Sequence, residues 1–127
     1  MRSRRDSLMF VALVAAGLLA AAGVAAQGQT YKPGDGVTSP VLIKEVKPNY
    51  TEGAMRRRVE GVVEMSVVVL RDGTVGEDVR VTTSLDEELD QQAIIAVKQW
   101  RFRPGSKDGE PVNVRVNIEM TFTLKKR

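Results

Sequence analysis

Residues 112–124 alternate without exception: Val112, Val114, Val116, Ile118, Met120, Phe122 and Leu124 are apolar, and the six positions between them are polar. A period of two over this length predicts a strand with one face on a core and the other in water. Residues 61–70, GVVEMSVVVL, are rich in β-branched side chains. One face of that stretch, Val63, Met65, Val67 and Val69, is wholly apolar and the other is mixed, which predicts a covered inner strand. Arg71-Asp72-Gly73 then signals a tight turn, because Asp-Gly readily supplies positive φ. The chain is expected to return as a second strand over residues 74–82, anchored by Val75, Val79 and Val81. Gly76 and the charged pair Glu77-Asp78 interrupt it, predicting a bulge or an edge position.

Elsewhere the period lengthens to that of a helix. Leu89, Ala93, Ala96, Val97 and Trp100 share one helical face, while Asp90, Gln91, Lys98 and Gln99 face water. Ser84-Leu85-Asp86-Glu87 has the form of a capping box, with Ser84 as the cap. The predicted helix ends between Trp100 and Phe102, Pro104-Gly105 stops it, and Lys107-Asp108-Gly109 turns the chain back. A shorter helix is predicted from an N-cap at Thr51 through Ala54 and Met55 to about Arg58, ending near Gly61. Together these elements define an α+β fold, a three-stranded antiparallel sheet with two helices packed on one face. The strand order is second, first, last, and an outer edge, that of the last strand, is left unpaired.

The N-terminus has a different character. Arg2, Arg4 and Arg5 precede an apolar run over residues 8–22, and Val24-Ala25-Ala26 fits a small-residue cleavage site. Residues 1–26 therefore read as a signal peptide or an N-terminal membrane anchor, and either one carries the remainder out of the cytoplasm. Residues 27–39, with Gly, Thr and Pro and no periodicity, read as a flexible linker, and residues 40–127 form the domain. Without residues 1–26 the chain keeps 16 of its 19 basic and 15 of its 16 acidic groups, a net charge of +1. A nucleic-acid partner would need a clustered basic face to displace counterions, and none is expected outside the cytoplasm. There is no cysteine, so the domain is held by its core alone and Cys metal sites are excluded.

Candidate chemistry is sparse. Asp86, Glu87, Glu88 and Asp90 sit where acids favour a helix dipole, and without His or Cys only hard oxygen ligands remain for a metal. Ser84 has no histidine to activate it, and its place in the sequence explains it as a cap. Arg56-Arg57-Arg58 suits an acidic partner or lipid head groups, or simply a helix C-terminus. Trp100 and Phe102 read as core aromatics that hold the helix over the sheet. No catalytic residue, metal or cofactor is expected, and the chain does not read as an enzyme.

Several of these pieces recur together in one known pattern. Pro48-x-Tyr50, Ala54, Gly61 with Val63, Met65 and Val67, Asp72-Gly73, the helix leading to Trp100, Trp100-Arg101-Phe102-Arg103-Pro104-Gly105, and Gly109-x-Pro111-Val112 resemble the C-terminal domain of TonB-family energy transducers. Gly61, Gly73, Trp100, Phe102 and Pro104 are its structural signature here. The resemblance implies a periplasmic module that binds an N-terminal peptide of outer-membrane transporters by adding it as a strand to the sheet edge. Asn113, Arg115, Asn117 and Glu119 on the last strand are the expected edge positions. Lys47, Pro48 and Tyr50 form the family-matched loop. Two positions depart from the pattern, Thr51 where a proline usually follows the tyrosine, and Lys47 at the polar position that contacts the peptide in well-known members. Both bear on peptide preference rather than on fold.

Full transducers also have an uncleaved anchor with an intramembrane histidine and a long Pro-rich arm. This chain has no histidine, and its 13-residue linker spans about 45 Å at ~3.5 Å per residue. Two functions follow as expectations. One is transporter engagement supporting energy-dependent transport, with inner-membrane motor subunits as further partners. The other is a stand-alone periplasmic adaptor or scaffold that pairs its edge with another protein or with itself as a homodimer.

Overall fold

The computed structural model describes residues 29–125; the leader expected over residues 1–26 lies outside them. Among these residues ten elements follow in chain order. They are β1 (Thr30–Tyr31), β2 (Val41–Lys44), α1 (Glu52–Arg56), β3 (Gly61–Val69), β4 (Arg80–Thr83), α2 (Glu87–Val97), β5 (Arg101–Arg103), β6 (Ser106–Lys107), β7 (Glu110–Pro111) and β8 (Asn113–Phe122). The main sheet has the order β1-β8-β3-β4, so the expected first strand lies between the second and the last. β3 and β8 form a continuous antiparallel ladder from Gly61↔Phe122 to Val69↔Val114.

The core follows the two periodicities. Val63, Met65, Val67 and Val69 on one face of β3 are all fully buried, and Leu89, Ala93 and Val97 of α2 cover them with Ala54 of α1. Val114, Met120 and Phe122 of β8 are buried as the alternation requires, with Val116 and Ile118 partly so. Tyr50 meets Phe122 edge-on at 5.5 Å, and its hydroxyl donates to the Val59 carbonyl, tying the entry of α1 to its exit. Burial, then the charge of Glu60, pushes the Tyr50 hydroxyl above its ordinary pKa.

The turn at Arg71-Asp72-Gly73 forms as expected, and Val75 bridges Val69. The chain then leaves the sheet around Gly76 and rejoins it only at β4, with a register shift opposite Glu64 and Met65. Gly73 has φ +89°, and a Cβ there would lie 2.2 Å from the carbonyl oxygen of Phe102. Its amide and carbonyl are both used, donating to Leu70 and accepting from Phe102. Gly73→Ala is therefore expected to cost at least about 1–3 kcal/mol, since it adds backbone strain to a clash with main chain. An unchanged denaturation midpoint would contradict that packing.

Several expectations are corrected. The long helix ends at Val97, not between Trp100 and Phe102; Gln99 and Trp100 tighten its exit with bonds to Ala96 and Val97. Arg101, Phe102 and Arg103 form β5, which pairs antiparallel with β2, a strand absent from the sequence reading. Three residues are too few to express a period, although their exposed–buried–exposed order is that of a strand. The helix cap is Asp86, which accepts from the amides of Glu88 and Leu89, while Ser84 is bonded to the Asp90 carboxylate. The start thus falls two residues later than the capping-box pattern places it. α1 is likewise shorter than expected, ending at Arg56 with Arg58 in the left-handed region at φ 56°. Residues 29–39 pack on the domain where a flexible linker is expected: β1 pairs with β8, and Val37 is buried.

The Arg56-Arg57-Arg58 run is largely answered within the chain. Arg57 holds Asp86 at 2.6 Å and Glu88 at 3.5 Å, and Arg56 reaches Glu52 at 3.8 Å. The hydrogen bond from Arg57 holds the Asp86 carboxyl below its usual range. Bonds from Thr74 do the same for Asp72, and bonds from Arg80 and then Arg115 for Asp78. A carboxylate with a lowered folded pKa contributes stability above the unfolded value near 3.9, and that stability is lost as pH falls through the folded pKa. The melting temperature is accordingly expected to drop below about pH 4. Asp86→Asn should lower it at neutral pH and flatten its acid dependence; an equally steep acid limb would contradict the assignment.

Candidate functional site

The phase of the β8 edge follows from the other side of the sheet. Leu70 donates its amide to Thr74 and Val68 accepts from Gly76, so the even-numbered residues of β3 turn their main chain toward the returning strand. Antiparallel ladders alternate, and the odd-numbered residues of β3 therefore face β8. Through the register, Val114, Val116, Ile118, Met120 and Phe122 bond to β3. Arg115, Asn117, Glu119 and Thr121 direct their amides and carbonyls outward.

Along that outer side β1 runs parallel to β8, and only at its beginning, Thr30 opposite Asn113 and Tyr31 opposite Val114. From Val116 to Phe122 the edge has no partner strand among the described residues. The structure thus separates the four expected edge positions. Asn117 and Glu119 are exposed on the open stretch, and Arg115, whose amide serves the pairing with β1, is half-buried before it. Asn113, expected to face water, is 7% exposed and lies beside β1; its side-chain oxygen accepts from the Arg71 amide at 2.9 Å. Its burial was hidden because the alternation marks only its polarity, not the segment that covers it.

The family-matched loop lies beside the far end of this edge. Lys47, Pro48 and Tyr50, with Glu45, form one wall of an open groove of about 430 Å³, and Trp100 and the stretch from Glu119 to Thr123 form the rest. The loop is fixed from beneath. Trp100 is 6% exposed, stacks obliquely on Phe102 at 6.2 Å, and donates its indole N–H to the Val46 carbonyl at 2.8 Å. Sequence reasoning placed Trp100 in the core but missed this bond and the participation of Glu45 and Thr121. Gly61, Gly73 and Pro104 stand outside the groove's lining and shape the scaffold.

The domain is small and α+β, and it presents a sheet edge with open backbone groups and a groove alongside. The family described as the Gram-negative bacterial TonB protein C-terminal matches residues 46–124, and the chain belongs to that family. Protein TonB of Vibrio cholerae serotype O1 is 36% identical over 102 residues, covering 80% of this chain and 41% of that protein. Protein tonB2 of Pseudomonas aeruginosa is 38% identical over 77 residues, covering 61% of this chain and 28% of that protein. The chain thus spans less than half the length of these relatives. The solution NMR structure of the Pseudomonas aeruginosa TonB C-terminal domain superposes with a TM-score of 0.58 at 23% identity, covering 78% of this chain and 96% of that one, which supports the fold alone.

Proposed function

We propose that this domain acts on the periplasmic side of the cell envelope, binding an extended peptide of an outer-membrane transporter as an added strand on the outer edge of β8. Binding of this kind supports energy-dependent transport across the outer membrane, and inner-membrane motor subunits are the proposed source of that energy. The observation that carries the reading is the coincidence of two features. Asn117, Glu119 and Thr121 offer outward main-chain groups, and the loop of Lys47, Pro48 and Tyr50 walls the groove at the end of that same edge. Strand addition draws its affinity from the main chain, with side-chain pockets supplying selectivity.

The open edge is short, polar on its exposed face and flanked by charge, which suits transient pairing rather than a permanent assembly. No chemistry beyond binding is asked of the site. Calorimetric titration of the domain with N-terminal peptides of outer-membrane transporters from the same organism tests the proposal. Saturable binding in the micromolar range, weakened when a proline is placed inside the peptide, is the expected result. Absence of binding by every such peptide would contradict it.

A further inference from the structure

β2 leaves a contiguous apolar run uncovered. Val41, Leu42 and Ile43 are 52%, 41% and 65% exposed, whereas Met55, Val62 and Ile95 stand singly on other elements. Scattered apolar side chains are ordinary on a surface; adjoining ones mark a place of contact. The pairing with β5 gives the run a cationic border. Directly opposed residues of antiparallel strands share a face, so Val41 lies with Arg103 and Lys44 with Arg101. Arg101 and Arg103 flank the buried Phe102 and are exposed on the side away from it. A register shift between Leu42 and Lys44 leaves Ile43 unpaired in the ladder.

Lys44, Arg101 and Arg103 make no ion pair among the described residues. Arg101 donates to the Gln99 and Trp100 carbonyls, which leave its charge uncancelled. The neighbouring acids are Glu45, next in the chain, and Asp72, which is bonded to Thr74 and senses Arg101. An aliphatic surface bordered by three cations suits an anionic amphiphile. Face-to-face pairing with a second copy would bring six cations together instead, and like charges oppose it.

The way the chain enters the domain names the amphiphile. β1 is pinned to β8 from Thr30, so three residues, 27–29, separate it from the apolar leader read over residues 1–26. They reach roughly 15 Å at ~3.5 Å per residue, and a leader seated in a bilayer holds this end of the domain beside the lipid. The entry and the face meet at one turn. Thr30 lies opposite Asn113, Asn113 accepts from the Arg71 amide, and Thr74 bridges Arg101 of β5.

We infer that the β2–β5 face rests on a bilayer surface, with Val41 and Ile43 at the acyl boundary and Lys44, Arg101 and Arg103 on anionic headgroups. None of these residues lines the groove beside β8, so this docking stands apart from strand addition and leaves the peptide edge open. Shallow apolar burial and cations near an anionic surface are each modest, and together they complete a short tether.

The chain has no cysteine, so Ile43→Cys gives a single site for an environment-sensitive fluorophore. The labelled full-length chain is reconstituted in vesicles of phosphatidylcholine, alone or mixed with phosphatidylglycerol, with a spin-labelled lipid as quencher. Blue-shifted, quenched emission is expected in the mixed vesicles, and weaker quenching in phosphatidylcholine alone or at high salt. Lys44→Gln with Arg103→Gln should lower the docked-to-free ratio about tenfold or more, at roughly fivefold per cation. Circular dichroism checks the fold of that variant, and its affinity for a transporter peptide should be unchanged. Equal emission in both kinds of vesicle, or quenching that survives the double substitution, would overturn the docking. A shift that needs no anionic lipid and grows with protein density would assign the face to a second copy. Loss of peptide affinity in the folded variant would assign its cations to the peptide site, and would equally overturn the inference.

Discussion

Trp100→Ala is expected to destabilise the domain by about 3–5 kcal/mol, the range for deleting a buried aromatic, which is a large part of what a domain of this size has. The side chain is almost fully buried between α2 and β5, so its loss leaves a cavity under both. The substitution also frees the Val46 carbonyl from its indole donor. Trp100→Phe separates the two effects. It keeps most of the packing but removes the donor, so it should cost less stability while loosening the Lys47-Pro48 loop and weakening peptide binding. A parent-like chemical-denaturation midpoint for Trp100→Ala would remove Trp100 from the core. Parent-like peptide affinity in a folded Trp100→Phe would uncouple it from the groove.

Asn117→Pro and Glu119→Pro are expected to abolish peptide binding while leaving the domain folded. Both residues turn their amides outward, away from β3, so the substitution removes no bond of the native ladder. It does remove the donor that an added strand would use. Proline at Ile118, whose amide faces Met65 of β3, should instead unfold or severely weaken the sheet. Asn117→Ala and Glu119→Ala keep the backbone donor, and each should weaken binding only slightly. Circular dichroism checks the fold and titration checks the binding. Folded proline variants that bind like the parent would exclude this edge.

The strands and helices that carry the core were legible because each is long enough to show its period. β3 and β8 run for nine and ten residues and α2 for eleven, and every one was found with the correct face inward. What escaped was short or non-local. β1, β2 and β5 have two to four residues each, and each exists only through a partner distant in sequence. β2 is harder still, because Val41, Leu42 and Ile43 are apolar yet exposed, Ile43 by 65%, so composition suggests burial that does not occur. The helix cap was misplaced because Ser84 and Asp86 are both good caps, and the choice between them depends on Arg57, which approaches Asp86 from the other helix.

The candidate site divides along the same line. Its polar edge positions and its loop were readable from alternation and from the family pattern. Their meeting across one groove needs the sheet order and the Trp100–Val46 bond, which join residues 54 apart in sequence. The closing of the edge at Asn113 needs β1, which carries no periodic signal at all.

Amide hydrogen exchange with and without a bound transporter peptide tests strand addition most directly. In the free domain, the amides of Val116, Ile118 and Met120 should be protected by β3, and those of Asn117, Glu119 and Thr121 should exchange freely. On saturation with peptide, alternate slowing confined to Asn117, Glu119 and Thr121 is the predicted result. Slowing at the exposed edge of β4, or none along β8 while the peptide is bound, would contradict it.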